Sequence, residues 1–108
     1  MVKQGAILWL NFSPQTGHEQ KGRRPALVVS NDTFNDFSNL AIVCPITNTN
    51  KKHPFHVKLD KRTKTTGVIL SDQARSLDID ARNCEFIETI PIDILQEVVD
   101  IISGFIEL

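Results

Sequence analysis

The sequence predicts a mainly β (α+β) domain: a small antiparallel barrel or coiled sheet with one amphipathic helix packed on it. Short apolar or alternating runs bounded by turn residues recur up to about residue 88 and are typical of strands. After them, apolar residues follow the 3.6-residue period of a helix. A chain of 108 residues has the size of one domain, so we expect a single unit over residues 1–108.

The first two strands flank a polar loop. AILWLNF, residues 6–12, is apolar with aromatics, and PALVVS, residues 25–30, is rich in β-branched residues, so both predict buried strands. Pro25 stands at the first position of a strand, which tolerates proline. Between them SPQTGHEQKGRR, residues 13–24, has the proline and glycine typical of a loop.

The middle of the chain predicts a short turn and the remaining strands. NDTFNDFSN, residues 31–39, indicates a turn or one short helical turn that begins at Asn31 or Asp32, because both residue types cap helices. The segment 68–78 reads as one strand that passes from apolar to alternating. The other strands are expected in residues 40–47, 55–59 and 82–88, separated by polar loops at 48–54 and 60–67.

The C-terminal segment predicts the long helix, of about fifteen residues. Pro91 suits its first position, and Gly104 weakens its last turn. The apolar stripe that predicts it consists of positions 92, 94, 95, 98, 99, 101, 102, 105 and 106.

Charge is divided unevenly along the chain. Residues 1–64 contain ten Lys or Arg and four Asp or Glu, whereas residues 65–108 contain two Arg and nine Asp or Glu. This asymmetry predicts a basic surface for an anionic partner and an acidic C-terminal region, and charge scattered over two faces explains the counts equally well.

The cysteines and the apolar runs indicate the compartment. Cys44 and Cys84 lie far apart with no CxxC motif, so we expect no disulfide framework and a reducing environment. The N-terminal segment lacks the features of a signal peptide, and no apolar run approaches a membrane span. The simplest expectation is a cytoplasmic protein that does not contact a membrane.

The loop GHEQKGRRP, residues 17–25, is the main candidate for chemistry. Arg23 and Arg24 offer planar donor forks that match phosphate, and Lys21 adds a third cation. The loop glycines allow backbone N–H groups to approach an anion closely. The loop therefore predicts an anion site, with a solvated basic loop as the alternative.

Two strand ends carry further candidates. Thr47 ends the third predicted strand at the mouth of a polar loop, where a rigid scaffold can hold a reactive hydroxyl; a threonine that caps a turn is the alternative. Asp72 ends an apolar run and is followed by Gln73 and Arg75. These three residues would suit a cleft wall, or else an exposed strand edge.

The histidines divide into two groups. His18 lies beside Glu19, where an imidazole can transfer protons near neutral pH. His53 and His56 form an HxxH pattern, which on a strand places the rings on opposite faces, and Pro54 excludes a regular helix. We therefore predict no metal site there, and the sequence contains no cofactor motif.

An enzyme with these residues would work with Arg, Thr, His and carboxylates alone. That set suffices for transesterification of RNA, because the 2′-hydroxyl of the RNA supplies the nucleophile. Trp9 and Phe12 could stack on bases, although Trp9 is expected in the core.

Four segments in this order and spacing resemble the MazF/PemK family of toxin endoribonucleases, and the resemblance covers nearly the whole chain. The four segments are GAILWLNFSP at residues 5–14, GHEQKGRRPALVVS at 17–30, VCPIT at 43–47 and TTGVILSDQARSLD at 65–78. The segment at 17–30 is the most specific of them.

The resemblance implies a fold, an activity and partners. The fold is an SH3-like barrel with a C-terminal helix, working as a homodimer. The activity is metal-free cleavage of single-stranded RNA at short sequences, which leaves a 2′,3′-cyclic phosphate and a 5′-hydroxyl. The partner is a cognate antitoxin that lays an acidic, disordered segment over the RNA site, and the basic first half of the chain suits both ligands.

The resemblance also implies residue roles. Arg24 and Thr47 match the key pair of the MazF branch. Asp72 and His18 match the PemK branch, but Leu70 stands where that branch has an arginine. We therefore predict Arg24 and Thr47 as the catalytic core, with proton transfer by His18, Glu19 or Asp72. The expected RNA-binding residues are Gln20, Lys21, Arg23, Asn48, Lys51, Lys52, Gln73 and Arg75.

Two other functions remain open at this point. A CcdB-like gyrase poison would share the barrel, but that family acts through a tryptophan-containing tail, whereas this chain ends GFIEL. A catalytically silent relative that binds RNA or the antitoxin would not need the intact Arg24 and Thr47 pair.

Overall fold

The computed structural model describes residues 2–12, 22–49 and 53–108. Among these residues it forms seven strands, two α-helices and two 3-10 turns, at Ser71–Gln73 and Asp80–Arg82. The strands are β1 Ala6–Asn11, β2 Arg23–Val28, β3 Ala41–Thr47, β4 His56–Lys58, β5 Val68–Leu70, β6 Arg75–Leu77 and β7 Glu85–Thr89, and the helices are α1 Asp32–Ser38 and α2 Ile92–Phe105.

The strands form one antiparallel sheet in the order β4-β5-β3-β2-β1-β7, and β6 pairs with the first half of β3. Strand β3 is the centre, since it pairs with β6 at Ala41–Val43, with β2 around Cys44 and with β5 from Ile46. No pairing among the described residues joins β4 to β7, so the sheet is barrel-like but not closed. The predicted mainly β fold with a C-terminal helix is confirmed.

The sheet is buried on both faces, which explains why its central strands read as continuous apolar runs. Side chains alternate between the faces of a strand. Ile7, Leu27 and Cys44 lie in a core that includes Ile94 of α2, while neighbours such as Leu8 lie in a second core on the other face.

The N-terminal part of the sheet departs from the prediction at β2. The strand begins at Arg23, not at Pro25, because Arg23 and Arg24 pair with Asn11 and Leu10 of β1. Pro25 is tolerated inside the strand since β3 pairs with β2 only from Ala26 onward. Both arginines are therefore held by a sheet.

Helix α1 is longer than the predicted turn. Its N-cap is Asn31, whose side chain accepts a hydrogen bond of 2.9 Å from the Phe34 N–H. The buried Asn35 secures it, because its amide donates to the carbonyls of Val2 and Ser30.

In the C-terminal part of the fold, one predicted strand is divided in two, and the last strand and α2 begin later than predicted. The predicted strand 68–78 is two strands, β5 and β6, separated by the 3-10 turn at Ser71–Gln73. This break lets one segment pair with both ends of β3. The last strand begins at Glu85, and Pro91 is the N-cap of α2 and not its first residue.

Helix α2 packs on the sheet through Ile94, Leu95 and Val98. Arg62 holds its first turn through two hydrogen bonds of 2.9 Å to the carboxylate of Asp93. Neither helix in the described part of the chain has the length and apolarity that a bilayer crossing needs.

Candidate functional site

A cavity of about 450 Å³ opens at the end of the sheet where β2 begins and β3 ends. Its described walls contain three cations, three hydroxyl groups and one amide, and no carboxylate or imidazole. The lining residues are Trp9, Arg23, Arg24, Pro25, Ile46, Thr47, Asn48, Lys64, Thr65, Thr66 and Ile87.

Arg24 and Thr47, the predicted catalytic core, line this cavity together. Arg24 is fixed by its pairing with Leu10, and Thr47 by its pairing with Val68. The Thr47 hydroxyl accepts a 3.2 Å hydrogen bond from the Thr49 N–H. A hydroxyl has one hydrogen and two lone pairs, so the hydrogen of Thr47 stays available to an oxygen in the cavity.

Gly67 allows the 60–67 loop to approach Thr47 closely. Its φ is +115°, and a Cβ at this position would lie 2.4 Å from the carbonyl oxygen of Thr47. The loop also meets the end of β3 through the Thr66 hydroxyl, which donates 2.9 Å to the side-chain oxygen of Asn48. Glycine is therefore required at position 67, where the 60–67 loop meets the end of β3.

Glu88 of β7 fixes Lys64 and Thr65 in the cavity wall. Its carboxylate accepts hydrogen bonds from the backbone N–H of both residues and from the Thr65 hydroxyl, at 2.8–3.1 Å. Partial burial by itself would raise the pKa of Glu88, but these hydrogen bonds together outweigh it and lower the pKa. The ionised form of Glu88 is thus the form that orders the loop.

Arg23 lies at the cavity edge and is tied to another strand. Its guanidinium donates 2.6 Å to the Asn83 carbonyl and 3.2 Å to a carboxylate oxygen of Glu85. This exposed ion pair braces β2 against β7. Its role as an RNA-binding residue stays a prediction.

Trp9 is 39% exposed and lines the cavity, so the prediction that it belongs to the core is wrong. Its side chain points away from its buried neighbours Leu8 and Leu10 because positions alternate along β1. Phe12, the other candidate for stacking, is fully buried. Of these two rings, Trp9 is the one accessible to a base.

Several predicted site residues do not line the cavity. Asp72, Gln73 and Arg75 lie in or after the 3-10 turn that follows β5. Six further predicted residues lie outside the described residues: His18, Glu19, Gln20, Lys21, Lys51 and Lys52.

The prediction that His53 and His56 point to opposite faces is wrong. The rule of alternating sides applies only within a strand, and β4 begins at His56. His53 precedes it in a turn closed by a 3.0 Å hydrogen bond from the His56 N–H to the His53 carbonyl. The two rings consequently lie 4.7 Å apart.

Sequence reasoning missed Lys64, Thr65 and Thr66 as wall residues. The run TKTTG was visible, but it reads as a charged turn until Glu88, 23 positions from Thr65, is found to hold it. What the cavity can do chemically follows from its walls: guanidinium, ammonium and hydroxyl donors around a concave surface suit a phosphate group.

The family comparison agrees with this chemistry. The profile of the family described as PemK-like, MazF-like toxin of type II toxin-antitoxin system matches residues 3–106. Endoribonuclease PemK of Escherichia coli is 37% identical over 106 residues, which cover 94% of this chain and 80% of that protein. Endoribonuclease EndoA of Bacillus subtilis is 41% identical over 83 residues, 72% of each chain.

Solved structures share the whole fold. A crystal structure of MazF from Deinococcus radiodurans superposes with a TM-score of 0.92 at 41% identity, covering 99% of this chain and 97% of that chain. A MazE-MazF crystal structure from the same organism gives a TM-score of 0.84 at 42% identity, covering 96% and 94%.

Proposed function

The chain belongs to the PemK-like, MazF-like toxin family of type II toxin–antitoxin systems and is a toxin endoribonuclease; we propose that it cleaves single-stranded RNA at the cavity between Arg24 and Thr47. The observation that carries this assignment is the meeting of these two residues in one cavity, beside Lys64 and Trp9. Cations suit the RNA backbone, and an exposed indole suits a base.

The reaction is an internal transesterification. The RNA 2′-oxygen attacks the adjacent phosphorus while the bond from phosphorus to the 5′-oxygen breaks. The products are a 2′,3′-cyclic phosphate and a 5′-hydroxyl. Arg24 stabilises the charge that gathers on the phosphorane oxygens and donates a hydrogen bond to the leaving 5′-oxygen, which takes up a proton from water to become the 5′-hydroxyl. Thr47 donates its hydroxyl hydrogen to a non-bridging oxygen.

A separate group must take the proton of the 2′-hydroxyl. Arginine, with a pKa above about 12, is a poor base at neutral pH. The described cavity walls contain no carboxylate or imidazole, and Asp72 does not line the cavity, so we assign this role to His18 or Glu19. The base thus acts on the attacking oxygen, while Arg24 acts on the leaving oxygen.

The partners follow from the same site. We propose that a cognate antitoxin binds the cationic cavity with an acidic segment, since MazF of Deinococcus radiodurans is solved with MazE. We further propose that the protein acts as a homodimer, since two-fold dimers are the commonest closed assembly. Its place of action is the cytoplasm, where messenger RNA is translated.

The test is cleavage of a long single-stranded RNA in EDTA, with mapping of the product ends. Wild type should cut at a short recurrent sequence and leave cyclic-phosphate and 5′-hydroxyl ends. Loss of one preorganised donor to a transition-state oxyanion costs about 100- to 1,000-fold in rate, so we expect that loss in Arg24→Ala and a similar loss in Thr47→Val.

The control is Lys3→Ala, which removes an exposed cation paired with Asp32 away from the cavity and should leave cleavage unchanged. Arg24→Lys keeps the positive charge but removes the planar guanidinium. Near-wild-type activity in that variant would contradict the role of the guanidinium in stabilising the phosphorane. Wild type that cuts no RNA would leave a binding function only, and cleavage that survives Arg24→Ala but not His18→Asn would move the chemistry to the loop.

A further inference from the structure

We propose that His53, His56 and Asp72 form a binding site for a transition-metal ion of the zinc class. One donor atom from each residue lies within 4.8 Å of the others. None of the three lines the cavity that holds Arg24 and Thr47. The proposal therefore stands on its own and does not depend on ribonuclease activity.

The backbone brings the three side chains together. The turn at 53–56 places His53 and His56 on one side. His56 pairs with Leu70 across β4 and β5, and the Ser71 N–H donates 3.3 Å to the Phe55 carbonyl. Asp72 follows directly, so its position relative to His56 is set by the sheet. Ligands held by a rigid scaffold are preorganised for binding.

The side-chain contacts fit a loosely assembled site. A carboxylate oxygen of Asp72 lies 3.6 Å from Nε2 of His56. Tetrahedral zinc with bonds of about 2.0–2.1 Å needs its donors about 3.4 Å apart. The three donor atoms lie within 4.8 Å of one another, so they have to approach by up to about 1.4 Å, which rotation of the exposed His53 side chain can supply.

His53 is held in its present orientation by one hydrogen bond and by ring contacts with Phe55 and His56. Its Nδ1 accepts a 3.2 Å hydrogen bond from the Phe55 N–H, at the long end of the normal range. Metal binding through either ring nitrogen breaks this hydrogen bond. If Nδ1 binds the metal, its lone pair is used there; if Nε2 binds the metal, Nδ1 carries the ring proton and can no longer accept. The hydrogen bond that is lost is long and exposed.

The donor set decides the class of ion. Two imidazoles and one carboxylate suit zinc, nickel, copper or iron, whereas magnesium and calcium prefer oxygen donors. Three protein ligands leave a fourth position for water, as in open zinc sites. Phe55 packs against the His53 ring at 5.1 Å and against Phe105 of α2 at 4.8 Å, which supplies an apolar shell on one side.

The experiment is titration of the metal-free protein with Zn²⁺ by calorimetry, followed by titration with Co²⁺ and recording of its visible absorption. We expect one ion per chain and the intense absorption of tetrahedral cobalt with nitrogen and oxygen ligands. Loss of a direct ligand should weaken binding by at least the 10- to 100-fold that loss of a supporting residue costs, in His56→Ala and in His53→Ala.

His53 is exposed, so His53→Ala should fold even where the half-buried His56 does not tolerate replacement. Cys84→Ser removes the exposed thiol, which is not part of the three-residue cluster, and should leave the affinity unchanged. The proposal is overturned if wild type binds no Zn²⁺ in a saturable way, if binding survives both histidine variants, if a control variant abolishes it, or if Mg²⁺ binds equally well.

Discussion

The Thr47 hydroxyl acquires its direction from its backbone neighbours. Thr47 is buried, with 7% of the residue exposed, and the Thr49 N–H occupies one lone pair of the hydroxyl oxygen. Its hydrogen is thereby left for a phosphate oxygen. A buried hydroxyl elsewhere in the molecule, that of Ser71, has no hydrogen-bond partner among the described residues. The environment, not the residue type, makes Thr47 a candidate for chemistry.

The two cysteines differ in the same way. Cys44 is completely buried, and burial, reinforced by the negative charge of Asp72, raises the pKa of its thiol to about 12. Cys84 is exposed. Partial burial and Asp80 raise the pKa of the Cys84 thiol, and Arg23 opposes them.

We expect one reactive thiol per native chain. The thiolate is the nucleophile, so Cys84 should react with a chromogenic disulfide reagent at a rate that rises steadily with alkaline pH. Cys44 should stay unreactive over the same range and react only after denaturation. Stopped-flow absorbance on wild type and Cys84→Ser measures both, and a fast thiol in native Cys84→Ser would show that Cys44 is accessible.

Gly67 joins β5 to the loop that forms one wall of the cavity. Its positive φ and its close approach to the Thr47 carbonyl both exclude a side chain. The Gly67 carbonyl in turn accepts a 2.9 Å hydrogen bond from the Leu59 N–H. One small residue thus connects β3, β5 and the end of β4.

Replacing Gly67 with alanine should damage both stability and activity. A non-glycine residue in this backbone conformation costs about 1–3 kcal/mol, and the clash with Thr47 adds to that cost. We expect a lower free energy of unfolding in urea and a cleavage rate reduced by at least about tenfold, as expected when a catalytic group is displaced by a fraction of an ångström.

Gly104→Ala is the matched control. Gly104 lies inside α2, and a Cβ at this position would meet no atom within 4 Å, so alanine should stabilise the helix by about 0.5–1 kcal/mol. Cleavage should be unchanged. If Gly67→Ala had the same stability and cleavage rate as wild type, the close approach of Gly67 to Thr47 would be contradicted, whatever the result for Gly104→Ala.

Loops in this fold are held by carboxylates on neighbouring elements. Arg62 bridges Asp60 in its own loop and Asp93 on α2. The hydrogen bonds from Arg62 lower the pKa of both carboxylates. A lowered pKa favours the folded state above the ordinary pKa of the carboxyl group, and this contribution is lost as the pH falls through the lowered value.

At the scale of the molecule, most cations of the described residues lie in or beside the cavity. Arg23, Arg24 and Lys64 line it, and Lys58 and Lys61 line a neighbouring groove that shares Thr66 with it. The formal charge of the chain is nonetheless −1. Attraction to RNA is therefore a property of one face and not of the net charge.

RNA binding should weaken with salt in proportion to the phosphates contacted. Each contact to single-stranded RNA contributes a slope of about −0.7 in the logarithm of affinity against the logarithm of salt, so Lys64→Gln should reduce the slope by about 0.7. Fluorescence anisotropy with a 2′-O-methylated RNA measures binding without cleavage. Lys3→Gln is the control, and an equal change in both variants would contradict a localised binding face.

Much of the fold was predictable because its signals are local. The apolar runs of β1 and β3 predicted strands, and the period after Pro91 predicted α2, since each pattern reports the burial of its own segment. The loop arginines and Thr47 were predictable as candidates for the same reason: strand ends are marked by the polar residues that follow them. The division of 68–78 into β5 and β6 was not, because the break depends on which parts of β3 each half pairs with.

Sequence alone was enough to predict most strands, the C-terminal helix and the family, and to propose Arg24 and Thr47 as the key pair. The contacts between distant residues depend on the folded chain: Glu88 with Thr65, Trp9 with the cavity, and His56 with Asp72. Local patterns reflect the burial and dihedral preferences of neighbouring residues, whereas these contacts depend on strand register and on a turn before β4. Register is set by packing across the whole sheet, and no single segment encodes it.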